Sequence, residues 1–195
     1  MILAVLYDHD PLAELDHDVA EWVAAELPAW AEALARPFSW LGGWIGLTIV
    51  GIVAGIWLVR ERAWLDLAFL VGTFAGVQVA VLLAKDGFDR ARPDVGSAVP
   101  LPESSAFPSG HAAAGVAGLG AVVVLLAERL PSRKARAWVF GSTVVLAVAV
   151  GASRVALNVH FVTDVLAGWC FGLAWLACCL WLRETIRVRA SPSAV

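Results

Sequence analysis

Residues 38–59 read Phe-Ser-Trp-Leu-Gly-Gly-Trp-Ile-Gly-Leu-Thr-Ile-Val-Gly-Ile-Val-Ala-Gly-Ile-Trp-Leu-Val, without one ionisable side chain. A helix that crosses the hydrocarbon of a bilayer needs roughly 20 apolar residues, because each adds only about 1.5 Å. This stretch meets that requirement, and Arg60-Glu61-Arg62 closes it. Four comparable stretches follow at 63–84, 107–127, 137–153 and 165–182, with Asp66 and Gln78 inside the first of them. Backbone inside a bilayer must satisfy its own hydrogen bonds, so these spans are expected as helices. The pattern predicts an all-α, polytopic membrane bundle of about five transmembrane helices.

Composition agrees. The 195 residues are 60% hydrophobic and 16% charged, whereas soluble domains carry roughly 45–50% apolar and about 25% charged residues. Ten Trp suit the aromatic belts of a membrane protein. A net charge of −3 gives no footing for nucleic acid. Cys170, Cys178 and Cys179 lie together in the last apolar stretch. They form no Cys-x-x-Cys pair or zinc pattern, and read as small apolar packing residues. Pairs of glycines four apart (Gly51 and Gly55, Gly72 and Gly76, Gly168 and Gly172) permit close helix contact.

Ahead of the first span, residues 8–36 hold eight acidic groups: Asp8, Asp10, Glu14, Asp16, Asp18, Glu21, Glu26 and Glu32. Val19, Trp22, Val23, Leu27, Trp30 and Leu34 recur among them at helical spacing, with a break expected at Pro28. One or two amphipathic helices follow, lying on the membrane surface or capping the bundle. His9 and His17 fall here and read as surface residues. The chain thus divides into an amphipathic segment 1–36, a transmembrane domain 37–185 and a basic tail 186–195.

The second informative stretch joins the last two spans: Ser153-Arg-Val-Ala-Leu-Asn-Val-His160-Phe-Val-Thr-Asp164. Charge beside a membrane core is costly unless it is paired or used. His160 and Asp164, four apart, would share a helix face, with the carboxylate fixing the imidazole tautomer. Lys85, followed after six residues by Arg92-Pro93, and Pro108-Ser109-Gly110-His111 complete a set of three polar blocks. Lys85, Arg92 and Arg154 supply three cations able to hold an oxyanion. Ser109 and Gly110 stand where a helix begins, and its free N–H groups add an anion site. Pro93 and Pro108 stiffen the segments that carry these groups.

In this order and spacing the blocks resemble the type 2 phosphatidic acid phosphatase superfamily: Lys-x6-Arg-Pro, Pro-Ser-Gly-His and Ser-Arg-x5-His-x3-Asp, matched at every defining position from Lys85 to Asp164. The resemblance implies a membrane phosphatase that forms a phosphohistidine on His160, with Asp164 orienting the ring. His111 would protonate the leaving oxygen and then activate water. Lys85, Arg92, Ser109, Gly110 and Arg154 would bind the phosphate, without metal or cofactor. Arg90 is near enough to assist, although the motif does not require it. The implied partner is a lipid phosphate or diphosphate in the bilayer; polyprenyl diphosphate, phosphatidic acid and phosphatidylglycerol phosphate are family substrates, and the compact chain leans towards the first. A soluble phosphate ester and a non-catalytic lipid-phosphate carrier are the alternatives. A vanadium haloperoxidase, which shares the anion pocket, is soluble and does not fit five apolar spans.

Basic residues divide unequally between the two ends of such a bundle. Arg60, Arg62, Arg129, Arg133, Lys134, Arg136, Arg183, Arg187 and Arg189 fall at one end; Arg36, Lys85, Arg90, Arg92 and Arg154 fall at the other. Basic loops stay cytoplasmic. The three blocks are therefore expected on the extracytoplasmic side of a bacterial plasma membrane.

Overall fold

A computed structural model describes residues 11–190, and every regular element among them is a helix: α1 (Pro11–Glu26), α2 (Ala29–Gly42), α3 (Trp44–Arg60), α4 (Trp64–Asp86), α5 (Gly110–Arg129), α6 (Arg133–Ala156) and α7 (Val162–Ala190). Asp8, His9, Asp10 and residues 191–195 lie outside the described residues. Helices α4 to α7 are each long and apolar enough to cross a bilayer; α2 and α3, bent by 50°, make a fifth crossing if they are one span. The bundle is the all-α membrane architecture read from hydropathy.

Helix boundaries follow local chemistry. Pro11 occupies the first turn of α1, where its missing N–H costs nothing. Pro28 separates α1 from α2 as the N-cap. The stretch 38–59, expected as one span, is broken at Gly43, which is extended at φ −74° and ψ 168°. The break draws the backbone in so tightly that a Cβ on Gly46 would stand 2.5 Å from the carbonyl oxygens of Trp40 and Leu41. Only glycine fits there, and hydropathy cannot register a bend between residues that are all apolar.

Helix α5 is the axis of the bundle. Its Ala112, Ala113, Ala117, Ala121 and Leu125 are fully enclosed, and its most extensive contact is with α7. Small side chains let the neighbouring backbones approach: a Cβ on Gly168 of α7 would meet Ser109 O at 2.6 Å and Ala112 Cβ at 2.9 Å. Gly72, by contrast, faces open space. The surrounding helices turn Ile52, Val53, Leu82, Leu83, Val144, Val145 and Trp181 outward, an apolar girdle larger than water would tolerate. Cys170 and Cys178 join that outer surface instead of packing inside.

At the end away from the polar blocks, charges at the ends of the spans pair with one another across the bundle. Arg183 donates to Asp66 at 2.6 and 2.9 Å and to Glu128 at 2.6 and 2.7 Å. Arg129 bridges Asp66 at 2.8 Å and Glu61 at 2.9 Å. Helix α7 continues to Ala190, beyond the expected start of the tail at 186. Helix α1 does not stand apart: Ala13, Asp16, Ala20 and Val23 are buried, and the helix packs against α6 and α7.

Candidate active site

The topology gathers all three polar blocks at one end of the bundle: Lys85 in the last turn of α4, Gly110 at the start of α5, Arg154 in the last turn of α6 and Asp164 in the first turn of α7. Between α6 and α7 the chain turns through Asn158, a left-handed residue at φ 53°. Asn158 Nδ2 fixes the turn by donating to Ala20 O of α1 at 3.1 Å and to Gly96 O at 3.2 Å. His160 lies in this turn, not on the helix expected for it. The i, i+4 relation to Asp164 survives because Asp164 reaches back: its Oδ2 accepts the Phe161 N–H at 2.9 Å and faces His160 Nδ1 at 3.3 Å. The first of these contacts also satisfies an amide at the start of α7.

Arg92, from the long segment between α4 and α5, donates to Val159 O at 2.8 Å and stands 3.2 Å from His160 Nε2. With Asp164 as acceptor on one side and a guanidinium on the other, the network assigns the proton to Nδ1 and a lone pair to Nε2. Burial, the largest influence, lowers the His160 imidazolium from its ordinary 6.5 to about 4; the Asp164 contact opposes this, and Arg92 and Arg154 add to it. The ring is therefore neutral at pH 7. Burial also holds Arg92 below the ordinary guanidinium value, with Asp164 countering.

Around Nε2 the remaining groups are close enough to act on one another. His111 lies within the electrostatic reach of Arg154, His160, Arg92 and Lys85, and its Nε2 stands 3.3 Å from where a Cβ on Gly43 would be. The helix bend at Gly43 thus makes room for His111. Arg154 is held through Nη1 by Ser39 Oγ of α2, and Lys85 Nζ by Ser105 O. Ser109 caps α5 with its backbone position but does not use its hydroxyl for the cap. Ser109 Oγ and Arg154 Nε are buried without a hydrogen-bond partner among the described residues. Buried donors left unsatisfied are costly, and two of them at the end of the bundle that carries the His160 lone pair, Lys85 and Arg92 suit an anion.

All eight residues singled out by sequence therefore meet at this end: Lys85, Arg92, Ser109, Gly110, His111, Arg154, His160 and Asp164. His17 stays exposed, its ring edge against Phe161 at 5.2 Å. Sequence reasoning missed Ser39, which positions Arg154, and Asp16, which Arg90 ties to Asp164. Nothing in the local pattern marks Ser39. Asp16 had a faint signal, as an acid on the same helical stripe as Val19, Val23 and Ala20.

Comparison with known proteins decides the affiliation. Residues 64–187 match the PAP2 superfamily. The chain belongs to the PAP2 superfamily. Phosphatidylglycerophosphatase B of Bacillus subtilis (strain 168) is 31% identical over 176 residues, which span 89% of this chain and 85% of that protein. The undecaprenyl-diphosphatase of Sulfolobus acidocaldarius is 38% identical over 78 residues, 40% of this chain and 33% of its own. The crystal structure of a transmembrane PAP2-type phosphatidylglycerolphosphate phosphatase from Bacillus subtilis superimposes with a TM-score of 0.84 at 26% identity, covering 98% of this chain and 94% of that one. Aquifex aeolicus LpxE shares the fold, with a TM-score of 0.66 at 22% identity over 86% of this chain and 95% of its own. As a PAP2 protein with complete polar blocks, the chain is a membrane-integral phosphatase.

Proposed function

We propose that the protein hydrolyses a lipid phosphate or lipid diphosphate at the extracytoplasmic face of a bacterial plasma membrane, through a phosphohistidine on His160. The observation that carries this reading is the lone pair of a neutral His160 Nε2 beside Arg92, with Arg154 and His111 in electrostatic reach and with Ser109 Oγ and Arg154 Nε buried without a hydrogen-bond partner among the described residues. Nε2 attacks phosphorus as the P–O bond to the leaving group breaks, and His111 gives that oxygen a proton. Asp164 stabilises the positive charge that grows on the ring. The three cations, Ser109 and the Gly110 N–H hold the equatorial oxygens. His111 then takes a proton from water, whose oxygen displaces the P–N bond and frees inorganic phosphate.

The site stands at the end of the apolar girdle, so a lipid can present its headgroup while its tails remain in hydrocarbon. Orientation rests on the basic residues of the opposite end; of these, Arg129, Arg183 and Arg187 are paired with acids, and Arg60, Arg62, Arg133, Lys134, Arg136 and Arg189 keep the bias. Among lipids, phosphatidylglycerol phosphate is the first to test, because the relative named for it matches nearly the whole chain, whereas the undecaprenyl-diphosphatase matches a smaller part. The experiment is phosphate release by purified protein from phosphatidylglycerol phosphate, phosphatidic acid, polyprenyl diphosphate and a sugar phosphate, with His160→Ala as blank. Turnover should be highest on a lipid, persist in EDTA and be blocked by vanadate. Equal turnover of the sugar phosphate, or activity that EDTA abolishes and magnesium restores, would overturn the reading.

A further inference from the structure

Asp16 belongs to the amphipathic first helix, yet it is 1% exposed, and the family blocks that begin at Lys85 give it no task. Its Oδ2 accepts Arg90 Nη2 at 2.8 Å. Its Oδ1 accepts the Thr163 N–H at 3.1 Å, at the start of α7, and the Thr163 hydroxyl donates to Oδ2. Arg90 in turn donates through Nη1 to Asp164 Oδ1 and, at 2.8 Å, to Thr163 Oγ1. Its guanidinium lies 4.6 Å over the ring of Phe161. Arg90 therefore grips the oxygen of Asp164 that His160 does not face, and Asp16 grips Arg90 from the far side.

Charge gives the arrangement a purpose. Asp164 must stay negative beside a ring that becomes positive in the transition state. A guanidinium bound to Asp164 alone would cancel that charge and draw the carboxylate away from the ring. A second carboxylate on the same guanidinium leaves the group Asp16–Arg90–Asp164 with one net negative charge, in surroundings where little water screens it. We propose that Asp16 is a positioning residue of the phosphatase reaction: acting through Arg90, it keeps Asp164 aimed at His160 and negative enough to support the phosphohistidine. The proposal rests on His160 being the nucleophile.

A double-mutant cycle separates this role from mere docking of α1. The readout is the rate of phosphoenzyme formation with para-nitrophenyl phosphate as probe, in detergent, for wild type, Asp16→Asn, Arg90→Gln and the double variant. Asp16→Asn keeps the size of the side chain and removes its charge, and should slow phosphorylation by roughly tenfold, within the range of couplings in one ion-pair network. Removing Arg90 as well restores one net negative charge, so the double variant should be faster than Asp16→Asn. Losses that multiply, as independent damage does, would overturn the proposal.

The acid limb of kcat/KM gives a second readout. The groups acting on His160 are Asp164 from α7, Arg92 from the loop, His111 from α5 and Arg154 from α6; Lys85 from α4 acts on Arg92, Asp164, Arg154 and His111, beyond them stand Arg90 and Asp16, and His17 meets Phe161. Loss of the Asp16 charge makes the imidazolium less stable and moves the limb to lower pH; loss of Arg90 moves it up. An undocked α1 reduces the amplitude and leaves the limb in place. If Asp16→Asn does not fold, Arg90→Gln alone decides: an upward shift supports the proposal and an unmoved limb refutes it. His160→Ala is run alongside. Activity in that variant would refute the nucleophile itself, whereas an inactive His160→Ala with a multiplicative cycle would refute only the role of Asp16.

Discussion

Gly168→Ala tests the claim that close backbone contact between α5 and α7 sets the catalytic geometry. A Cβ at this position would lie 2.6 Å from Ser109 O, 2.9 Å from Ala112 Cβ and 3.3 Å from Ala113 N. A methyl carbon needs about 3.5 Å from its neighbours, so α7 must retreat from the start of α5 by roughly 0.5–1 Å. Those two turns carry the opposing halves of the site, Ser109 and His111 on one and Asp164 on the other. Misplacement near 1 Å costs on the order of 10²-fold in rate, so kcat should fall by about 10–100-fold. Overpacking costs about 1–3 kcal/mol, offset in part by the better helix propensity of Ala, worth up to about 1 kcal/mol. The net loss of stability is therefore about 0–2 kcal/mol, small beside the loss of rate. The assay is steady-state phosphate release together with thermal unfolding in detergent, with Gly72→Ala as control because a Cβ there meets nothing within 4 Å. A Gly168→Ala protein with the kcat of wild type would show that this contact does not set the catalytic geometry.

With the folded His160 value depressed to about 4, the proposed nucleophile stays unprotonated well below pH 6.5, and the acid limb of kcat/KM should lie near 4. The sign for stability follows by linkage: the unfolded chain takes up this proton first, so the His160 contribution is present above pH 6.5 and is lost as pH falls towards 4; urea unfolding at stepped pH checks it. Arg183→Met leaves Asp66 and Glu128 each one donor group short at the opposite end. Asp66 keeps Arg129 and Glu128 is partly exposed, so the loss should be about 1–3 kcal/mol, with turnover per folded molecule unchanged. Arg187→Met, on a half-exposed side chain, should cost under about 1 kcal/mol.

Much of this was legible because its signals are local. A run without charge long enough to cross a bilayer announces a span, and Pro28 announces a break. Three short blocks carry the site, and their placement at one end follows once alternate spans reverse direction. The bend at Gly43 was not legible, since Gly42-Gly43 inside an apolar run reads as well for a straight helix as for a kinked one. His160 looked helical by its spacing to Asp164, but a left-handed Asn158 ends the preceding helix first, and Asp164 makes the contact by reaching back. Long-range pairing escaped altogether. Asp66 and Arg183 are 117 residues apart, and Asp16 was one acid among eight until α7 and Arg90 came to meet it.

The central claim is that His160 accepts the phosphoryl group and His111 moves the protons. The most direct measurement is rapid quenching of the His111→Ala protein after addition of para-nitrophenyl phosphate, followed by mass-spectrometric location of the bound phosphate. An aryl leaving group needs little protonation, so the first step should survive, and without His111 to activate water the intermediate should accumulate. Phosphate should be found on His160 in His111→Ala and none in His160→Ala. Phosphate on His111 in the His160→Ala protein, with none on His160 in His111→Ala, would contradict it.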